Sequence, residues 1–288
     1  MTTRRDFLKL SFSAALITAS PSTLSAFSGY GLNKPVPIRS FESGPSENVF
    51  SSREYFEKIR NFNHAFSDDL IADSAEFALI RSCQKKTYAL MRYIGFGNFN
   101  IVNFDEALKY MNNVSALTPF TKQELNYLDM LFARDASVYG FFGERIFDSL
   151  TDNVDQSKLE KIPGSGHYVY KSSSLSIYRN ITTEMKSLTL TSGVRSVVKQ
   201  LHLFLSKVVE TKGNLSMASR SIAPVGYSYH GIGDFDVGIK GWGYDNFTDK
   251  FATTDEYSKL MSKGYMRIRY DKKNPYGVRF EPWHVKVV

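Results

Sequence analysis

The feature that most restricts the fold is a cluster of six glycines between residues 226 and 243. Glycine disfavours helices because its backbone loses the most conformational freedom when it is ordered, so this stretch predicts turns and short extended segments. Two strand-like segments follow, at 265–270 and 277–288, and they are separated by Asn-Pro-Tyr-Gly. This arrangement predicts a C-terminal β-hairpin.

The sequence before the glycine cluster predicts mainly helices, from residue 53 to about residue 150. Phe56, Ile59, Phe62 and Phe66 have the spacing of a single helical face. Other helical patterns cover 125–132, after a possible capping box of Thr121 and Glu124, and also 195–209 and 254–261, whereas the alternating run at 168–170 predicts an extended segment. The predicted fold is α+β, with a helical N-terminal region followed by a C-terminal domain that contains a small antiparallel sheet flanked by helices.

The first residues have the pattern of an export signal. Arg4 and Arg5 are followed by Phe7, Leu8 and Lys9, then by a short apolar run and small residues that end near Ala26. This pattern is typical of a twin-arginine signal, and the apolar run is too short to cross a hydrocarbon core of ~30 Å. We expect a signal peptide over 1–26, a Ser-, Pro- and Gly-rich linker over 27–51, and a periplasmic location.

Charge and cysteine content exclude several classes of protein. The formal net charge is +7, but no run of Lys and Arg is dense enough to indicate nucleic-acid binding. Cys83 is the sole cysteine, so the chain forms no internal disulfide and no cysteine-based zinc site. The helical context of Cys83 indicates a structural residue.

Two short stretches near the C-terminus contain groups suited to metal-assisted hydrolysis. One includes His230 and Asp236, and the other includes Glu281 and His284. Two neutral imidazoles and one carboxylate form a typical catalytic zinc site with an open fourth position, although other divalent metals also bind such ligands. A further carboxylate, not bound to the metal, can take the proton from a water molecule.

These stretches belong to a pattern of three motifs that resembles the D-alanyl-D-alanine carboxypeptidase family of zinc peptidases, in its VanY-like branch. The resemblance covers roughly residues 185–288. The motifs are Ser228-x-His230-x-x-Gly233 with a following Asp, Glu281-x-Trp283-His284, and Ser192-Gly-Val-Arg195-Ser196, in which Val194 replaces the usual Tyr.

The resemblance implies that zinc is bound by His230, Asp236 and His284. The family usually has its Asp seven residues after the first His, where this chain has Val237, whereas Asp236 is six residues after it. A turn shortened by one residue would bring Asp236 to the metal, and Asp234 is the alternative ligand. If neither Asp reaches the metal, the protein is an inactive relative.

The resemblance also implies roles for four residues around the metal. Glu281 would act as general base and then as proton donor to the leaving amine. Arg195 would stabilise the carbonyl oxygen as it becomes negatively charged. Ser228 and Trp283 would contribute to substrate binding.

The function that follows is a zinc-dependent D,D-carboxypeptidase or endopeptidase that hydrolyses amide bonds in peptidoglycan stem peptides. The alternatives are an L-alanyl-D-glutamate endopeptidase with the same site and an inactive periplasmic module that binds cell wall. We assign 181–288 to the catalytic domain and 52–180 to a mostly helical region of unknown role. Three histidines match no motif: His64, His167 and His202.

Overall fold

The computed structural model describes residues 52–265 and 267–288. The predicted signal peptide and linker therefore lie outside the described residues. Within the described ranges, no helix has both the length and the apolar character needed to cross a membrane.

The predicted helical region begins with five helices. The capping box before the fifth helix is present, because Thr121 accepts a hydrogen bond from the Glu124 backbone N–H and Glu124 accepts one from the Thr121 N–H. The helices are α1 (Arg53–Arg60), α2 (Ser74–Ile94), α3 (Phe96–Phe99), α4 (Phe104–Asn113) and α5 (Lys122–Ala133).

The predicted helical face of Phe56, Ile59, Phe62 and Phe66 is wrong in its second half. Helix α1 ends at Arg60, so Phe62 and Phe66 lie beyond it. Tertiary contacts determine their positions instead: the guanidinium of Arg279 lies 4.8 Å from the Phe62 ring, and that of Arg220 lies 4.8 Å from the Phe66 ring.

Two antiparallel sheets follow. Strands β1 (Leu159–Lys161) and β2 (Tyr168–Tyr170) form a two-stranded sheet, so the predicted extended segment at 168–170 is confirmed. The second sheet has the order β3-β4-β5, and four further helices occur in the same part of the chain. Its strands are β3 (Leu188–Ser192), β4 (Phe235–Ile239) and β5 (His284–Val285), and the helices are α6 (Ser173–Glu184), α7 (Val197–Glu210), α8 (Leu215–Ser219) and α9 (Asp255–Ser262).

The predicted C-terminal hairpin is wrong. Among the described residues, the two segments share an isolated bridge between Ile268 and Val285 and a few backbone hydrogen bonds, such as that from Lys286 to Arg267, but no continuous strand pairing; β5 has two residues, which pair with β4. The backbone of 277–283 makes other hydrogen bonds: Gly277 N–H donates to the Tyr55 hydroxyl, and Glu281 N–H donates to the Tyr270 carbonyl. The predicted α+β class, with a small antiparallel sheet and flanking helices, is confirmed.

The core forms two apolar clusters. The larger one contains the packed faces of α2 and α7, including Phe204 and Leu205, and it also contains Cys83, which is completely buried. Burial raises the pKa of the Cys83 thiol to about 12, which agrees with a structural role. The smaller cluster lies beneath the three-stranded sheet and includes Phe235 and Val237 of β4.

Candidate metal centre and catalytic cleft

The three-stranded sheet places Asp236 and His284 side by side. Phe235 and Val237 point into the smaller apolar cluster, and Asp236, between them, points to the opposite face because side chains alternate along a strand. Asp236 is paired in register with His284 of β5 and with Ser192 of β3. Directly paired residues lie on the same face, so the register itself brings these groups together.

His230 reaches the same face from a short 3-10 turn, Tyr229–Gly231. Its ring nitrogen Nδ1 lies 2.8 Å from the carbonyl oxygen of Gly193, which directly follows β3. A Cβ atom at Gly193 would lie 2.0 Å from the Tyr168 carbonyl oxygen, so only glycine allows this backbone approach. The hydrogen bond assigns the proton to Nδ1 and leaves Nε2 directed towards Asp236.

His230, Asp236 and His284 form a group suited to binding a metal ion. One ligand atom from each lies within 4.8 Å of the others, and all three residues are buried. Oδ1 of Asp236 lies 3.1 Å from His284 Nδ1 and 3.4 Å from His230 Nε2. Ligands about 2.1 Å from a tetrahedral metal are separated by about 3.4 Å, so these distances fit a zinc ion.

The environment of Asp236 Oδ1 gives a second reason to expect a metal ion at this position. Asp236 Oδ1 is buried and has no hydrogen-bond donor in acceptable geometry within the described part of the chain. A buried acceptor without a partner is costly, and a cation bound between the three residues would satisfy it. The one-residue shortening before Asp236 therefore leaves this residue able to reach a shared metal.

Asp234 lies behind the metal-binding group. Its Oδ2 is 3.0 Å from His284 Nε2 and 2.6 Å from Nε of Arg269, and its Oδ1 accepts the backbone N–H of Val287. All of these groups are buried or partly buried. Asp234 orients the outer nitrogen of His284, as carboxylates commonly do for histidine ligands.

Electrostatic effects differ among the three buried groups. Burial and the charge of Arg195 lower the pKa of His230. Burial also disfavours the charged form of His284, but the hydrogen bond to Asp234 and the adjacent charge of Asp236 outweigh it and raise the pKa of His284 to about 9. For Asp236 burial is again outweighed, chiefly by His230, so its pKa is well below the ordinary value. The Asp236 carboxylate is thus held ionised, as a metal ligand must be.

Glu281 is a second buried carboxyl group in the same cleft. Burial raises its pKa above the ordinary value, and the nearby charge of Arg279 opposes this rise. Arg279 Nε lies 3.6 Å from Glu281 Oε1, and the Arg279 guanidinium lies 4.8 Å from the Trp283 ring. A carboxyl group with a raised pKa is suited to proton transfer near neutral pH.

Arg195 lies at the edge of the metal-binding group. Its Nη2 is 3.0 Å from Asp236 Oδ2, and its Nε donates to the Ser192 hydroxyl at 3.0 Å. These two contacts fix the plane of the guanidinium group. Arg195 therefore presents a positive charge next to the position where a metal would be bound.

The site opens into a cleft of about 350 Å³. Ser228 and Trp283 line it, although both side chains are nearly completely buried. His167, which matches no motif, also lines the cleft, and burial lowers its pKa to about 4. His202 does not line the cleft: it is buried, and its Nδ1 lies 2.9 Å from the Thr87 hydroxyl.

The sequence did not predict the side chains that hold His284 and Glu281 in position. Arg269 was part of a predicted strand, yet it is buried and paired with Asp234. Asp234 was considered only as an alternative ligand, whereas it contacts the far side of His284. Arg279 was not singled out. Its position two residues before Glu281, in a segment rich in aromatic residues, is the sequence feature that could have indicated its role in the cleft.

The C-terminal part of the chain is similar to a known protein family. Residues 170–288 match the family model VanY, D-alanyl-D-alanine carboxypeptidase. The match confirms the family resemblance of this segment, which makes up less than half of the chain. A comparison with curated proteins gave no significant match.

Solved structures show partial likenesses. The LdcB LD-carboxypeptidase, described with its peptidoglycan recognition, is 23% identical with a TM-score of 0.38, and the alignment covers 45% of this chain and 63% of that chain. A mutant of the vancomycin-resistance D,D-pentapeptidase VanY with Zn(II) is 21% identical, with a TM-score of 0.37 and coverage of 45% and 78%. VanYB with D-alanine-D-alanine is 24% identical, with a TM-score of 0.37 and coverage of 45% and 76%.

Proposed function

We propose that this protein is a zinc-dependent D,D-carboxypeptidase or endopeptidase that hydrolyses amide bonds in peptidoglycan stem peptides. The observation that carries the proposal is the buried group of His230, Asp236 and His284, whose ligand atoms lie within 4.8 Å of one another. The family match over residues 170–288 supports the substrate class.

The metal ligands in this proposal are His230 Nε2, His284 Nδ1 and an Asp236 carboxylate oxygen. Gly193 and Asp234 hold the outer nitrogens of the two imidazoles, and such supporting contacts usually strengthen metal binding. Bound zinc supplies Lewis-acid activation of water and of a carbonyl group. The remaining steps depend on the chain's own residues.

Glu281 performs the proton transfers. Its carboxylate takes a proton as the water oxygen forms a bond to the amide carbon, and it donates that proton to the nitrogen as the C–N bond breaks. The products are a carboxylic acid and an amine, so the atoms of one water are shared between them. The pKa of Glu281, raised by burial, reduces the energy difference between its two protonation states near neutral pH.

Arg195 stabilises the negative charge that develops on the carbonyl oxygen. Ser192 and Asp236 hold the guanidinium group through Nε and Nη2, so the charge is positioned before the reaction begins. Fixed charges of this kind provide a large part of acyl-transfer catalysis. Ser228 and Trp283, which line the cleft, contribute to binding of the peptide.

We also propose that the protein acts outside the cytoplasm. Peptidoglycan is the substrate class of the matched family, and the arginine pair near the N-terminus has the pattern of twin-arginine export. A fusion of residues 1–51 to a reporter that functions only after folded export tests this proposal. Replacement of both Arg4 and Arg5 by Lys is expected to keep the reporter in the cytoplasm.

The bond that is hydrolysed can be identified with three defined substrates and product masses. The expected result is loss of one alanine from a pentapeptide that ends in D-Ala-D-Ala, or cleavage of a D,D-cross-linked dimer. Cleavage only between L-alanine and D-glutamate would establish the alternative endopeptidase. If zinc is bound and none of the three substrates is hydrolysed, the protein is a cell-wall-binding module and the proposal is wrong.

A further inference from the structure

The catalytic cleft continues along one face of α7. Lys199, Leu203 and Lys207 line it at intervals of four residues, and Arg195 precedes them at the same interval. Residues at this spacing lie on one helix face. With a rise of 1.5 Å per residue, Lys199 and Lys207 are about 12 Å apart along the helix. The cleft therefore extends beyond the length of the two residues that flank a hydrolysed amide.

Most cations that line this cleft have a carboxylate partner. Arg195 Nη2 lies 3.0 Å from Asp236 Oδ2, and Arg279 Nε lies 3.6 Å from Glu281 Oε1. On α7, Lys207 Nζ lies 2.6 Å from Glu210 Oε1. The positive charge of these three side chains is thus balanced within the protein.

Lys199 is the exception. Its side chain is half-buried, and among residues 52–265 and 267–288 no carboxylate lies within 4.0 Å of Nζ. Nζ lies 5.7 Å from the centroid of the Phe99 ring. Burial and the charge of Arg195 lower the pKa of Lys199 to about 8. A partly buried ammonium group without a partner is unfavourable, and an anionic ligand in the cleft would relieve this cost.

We propose that Lys199 determines substrate specificity by binding a carboxylate of the peptide that occupies the cleft. This inference rests on the proposed function and names the substrate class more closely: a peptide with a free carboxylate near the hydrolysed bond. That carboxylate is either the C-terminal one or that of an acidic side chain. Both offer the same acceptor oxygens to Nζ, and the experiment distinguishes them.

The experiment measures peptide affinity by calorimetry in the zinc-loaded Glu281→Gln protein, so that the peptide remains intact. Four versions of one peptide ending in D-Ala-D-Ala are compared, with the terminal carboxylate and one acidic side chain each free or amidated. Amidation of the carboxylate that Lys199 binds is expected to weaken affinity about tenfold or more. Lys199→Gln should weaken affinity for the free peptide by a similar factor, and amidation should then have little further effect.

Lys207→Gln is the matched control, because this lysine lies on the same face of α7 but is paired with Glu210. It should change the affinity less than twofold. A second variant, Lys199→Arg, keeps the charge and should retain most of the preference for the carboxylate. Retained zinc stoichiometry and melting temperature show that each variant is folded.

Equal affinity for free and amidated peptides in the Glu281→Gln protein that retains Lys199 would overturn the proposal. Equal loss of affinity for all four peptides in Lys199→Gln would also overturn it, because the loss would then reflect a general change of the cleft. If the carboxylate preference depends on Lys199 but the protein with Glu281 intact hydrolyses no peptide, the proposed function fails and the assignment of Lys199 stands.

Discussion

Nε2 of His284 lies 3.0 Å from Oδ2 of Asp234, and both side chains are buried. This contact places Nδ1 of the same ring next to Asp236, at 3.1 Å from Oδ1. Asp234 itself is held by Arg269 and by the backbone N–H of Val287. The orientation of one proposed zinc ligand therefore depends on a carboxylate that does not belong to the metal-binding group.

Replacement of Asp234 by Asn is expected to weaken zinc binding. The amide can still contact His284, but it supplies no negative charge and leaves Arg269 without its ion-pair partner. Loss of a supporting contact typically reduces metal affinity 10- to 100-fold, which corresponds to about 1.4–2.8 kcal/mol. Competition with a chromophoric chelator measures the change.

The control for this variant is Asp69→Asn. Asp69 forms an equally buried ion pair with Arg220, and it contacts none of the three proposed zinc ligands. Its replacement should lower the free energy of unfolding without changing zinc affinity. Wild-type zinc affinity in Asp234→Asn would contradict the role assigned to Asp234.

Gly193→Ala is expected to disturb the metal-binding group through the backbone. The added methyl group would lie 2.0 Å from the Tyr168 carbonyl oxygen, so the chain must shift at the residue whose own carbonyl accepts the His230 hydrogen bond. We expect a destabilisation of about 1–3 kcal/mol and weaker zinc binding. Urea unfolding of the metal-free protein and chelator competition separate the two effects.

Gly97→Ala provides a comparison, because its nearest atom, the Gly166 carbonyl oxygen, would lie at 3.3 Å. This weaker steric overlap should lower the free energy of unfolding less than Gly193→Ala does, and it should not change the zinc affinity. An unchanged zinc affinity in a folded Gly193→Ala protein would show that the Gly193 carbonyl does not orient His230.

The stability of the protein should depend on His202 in mildly acidic solution. Burial, together with the charge of Lys199, lowers its pKa from 6.5 to about 4 in the folded state. The unfolded chain then binds more protons between these two pH values, so the free energy of unfolding falls as the pH is lowered from about 6.5 to about 4. This residue contributes at most about 3 kcal/mol to the decrease.

Urea unfolding at a series of pH values in wild type and His202→Gln measures this contribution. The substitution also changes stability at every pH, so the comparison concerns the slope of the free energy of unfolding with pH. A smaller slope between pH 6.5 and 4.5 is expected in His202→Gln. Identical slopes would mean that His202 is protonated equally in the folded and unfolded states.

The helices of the fold could be predicted because their signals are local. The capping box of Thr121 and Glu124 and the apolar stripe of 195–209 depend on residues three and four positions apart. The C-terminal hairpin could not be predicted correctly, because strand pairing there depends on distant residues. His284 and Val285 pair with β4, and the backbone of Gly277 contacts Tyr55.

The proximity of His230, Asp236 and His284 could be predicted from the sequence, whereas the residues that hold their side chains in place could not. His230, Asp236 and His284 stand in motifs with glycines and a neighbouring Trp, whereas Arg269 occurs in a segment with no such pattern. Its pairing with Asp234 follows from burial in the folded chain. The lack of a carboxylate beside Lys199 within the described part of the chain is likewise visible only when the acidic residues around the cleft are located in the structure.

The most direct test of the account compares zinc-loaded wild-type protein with Glu281→Gln on a stem pentapeptide that ends in D-Ala-D-Ala. Wild type should contain one zinc per chain and release a single alanine, and removal of zinc should abolish this release. Glu281→Gln should retain one zinc per chain and lose a factor of about 10²–10⁴ in rate, because the amide cannot transfer the proton. Wild-type hydrolysis by Glu281→Gln, or hydrolysis that survives removal of zinc, would contradict the account.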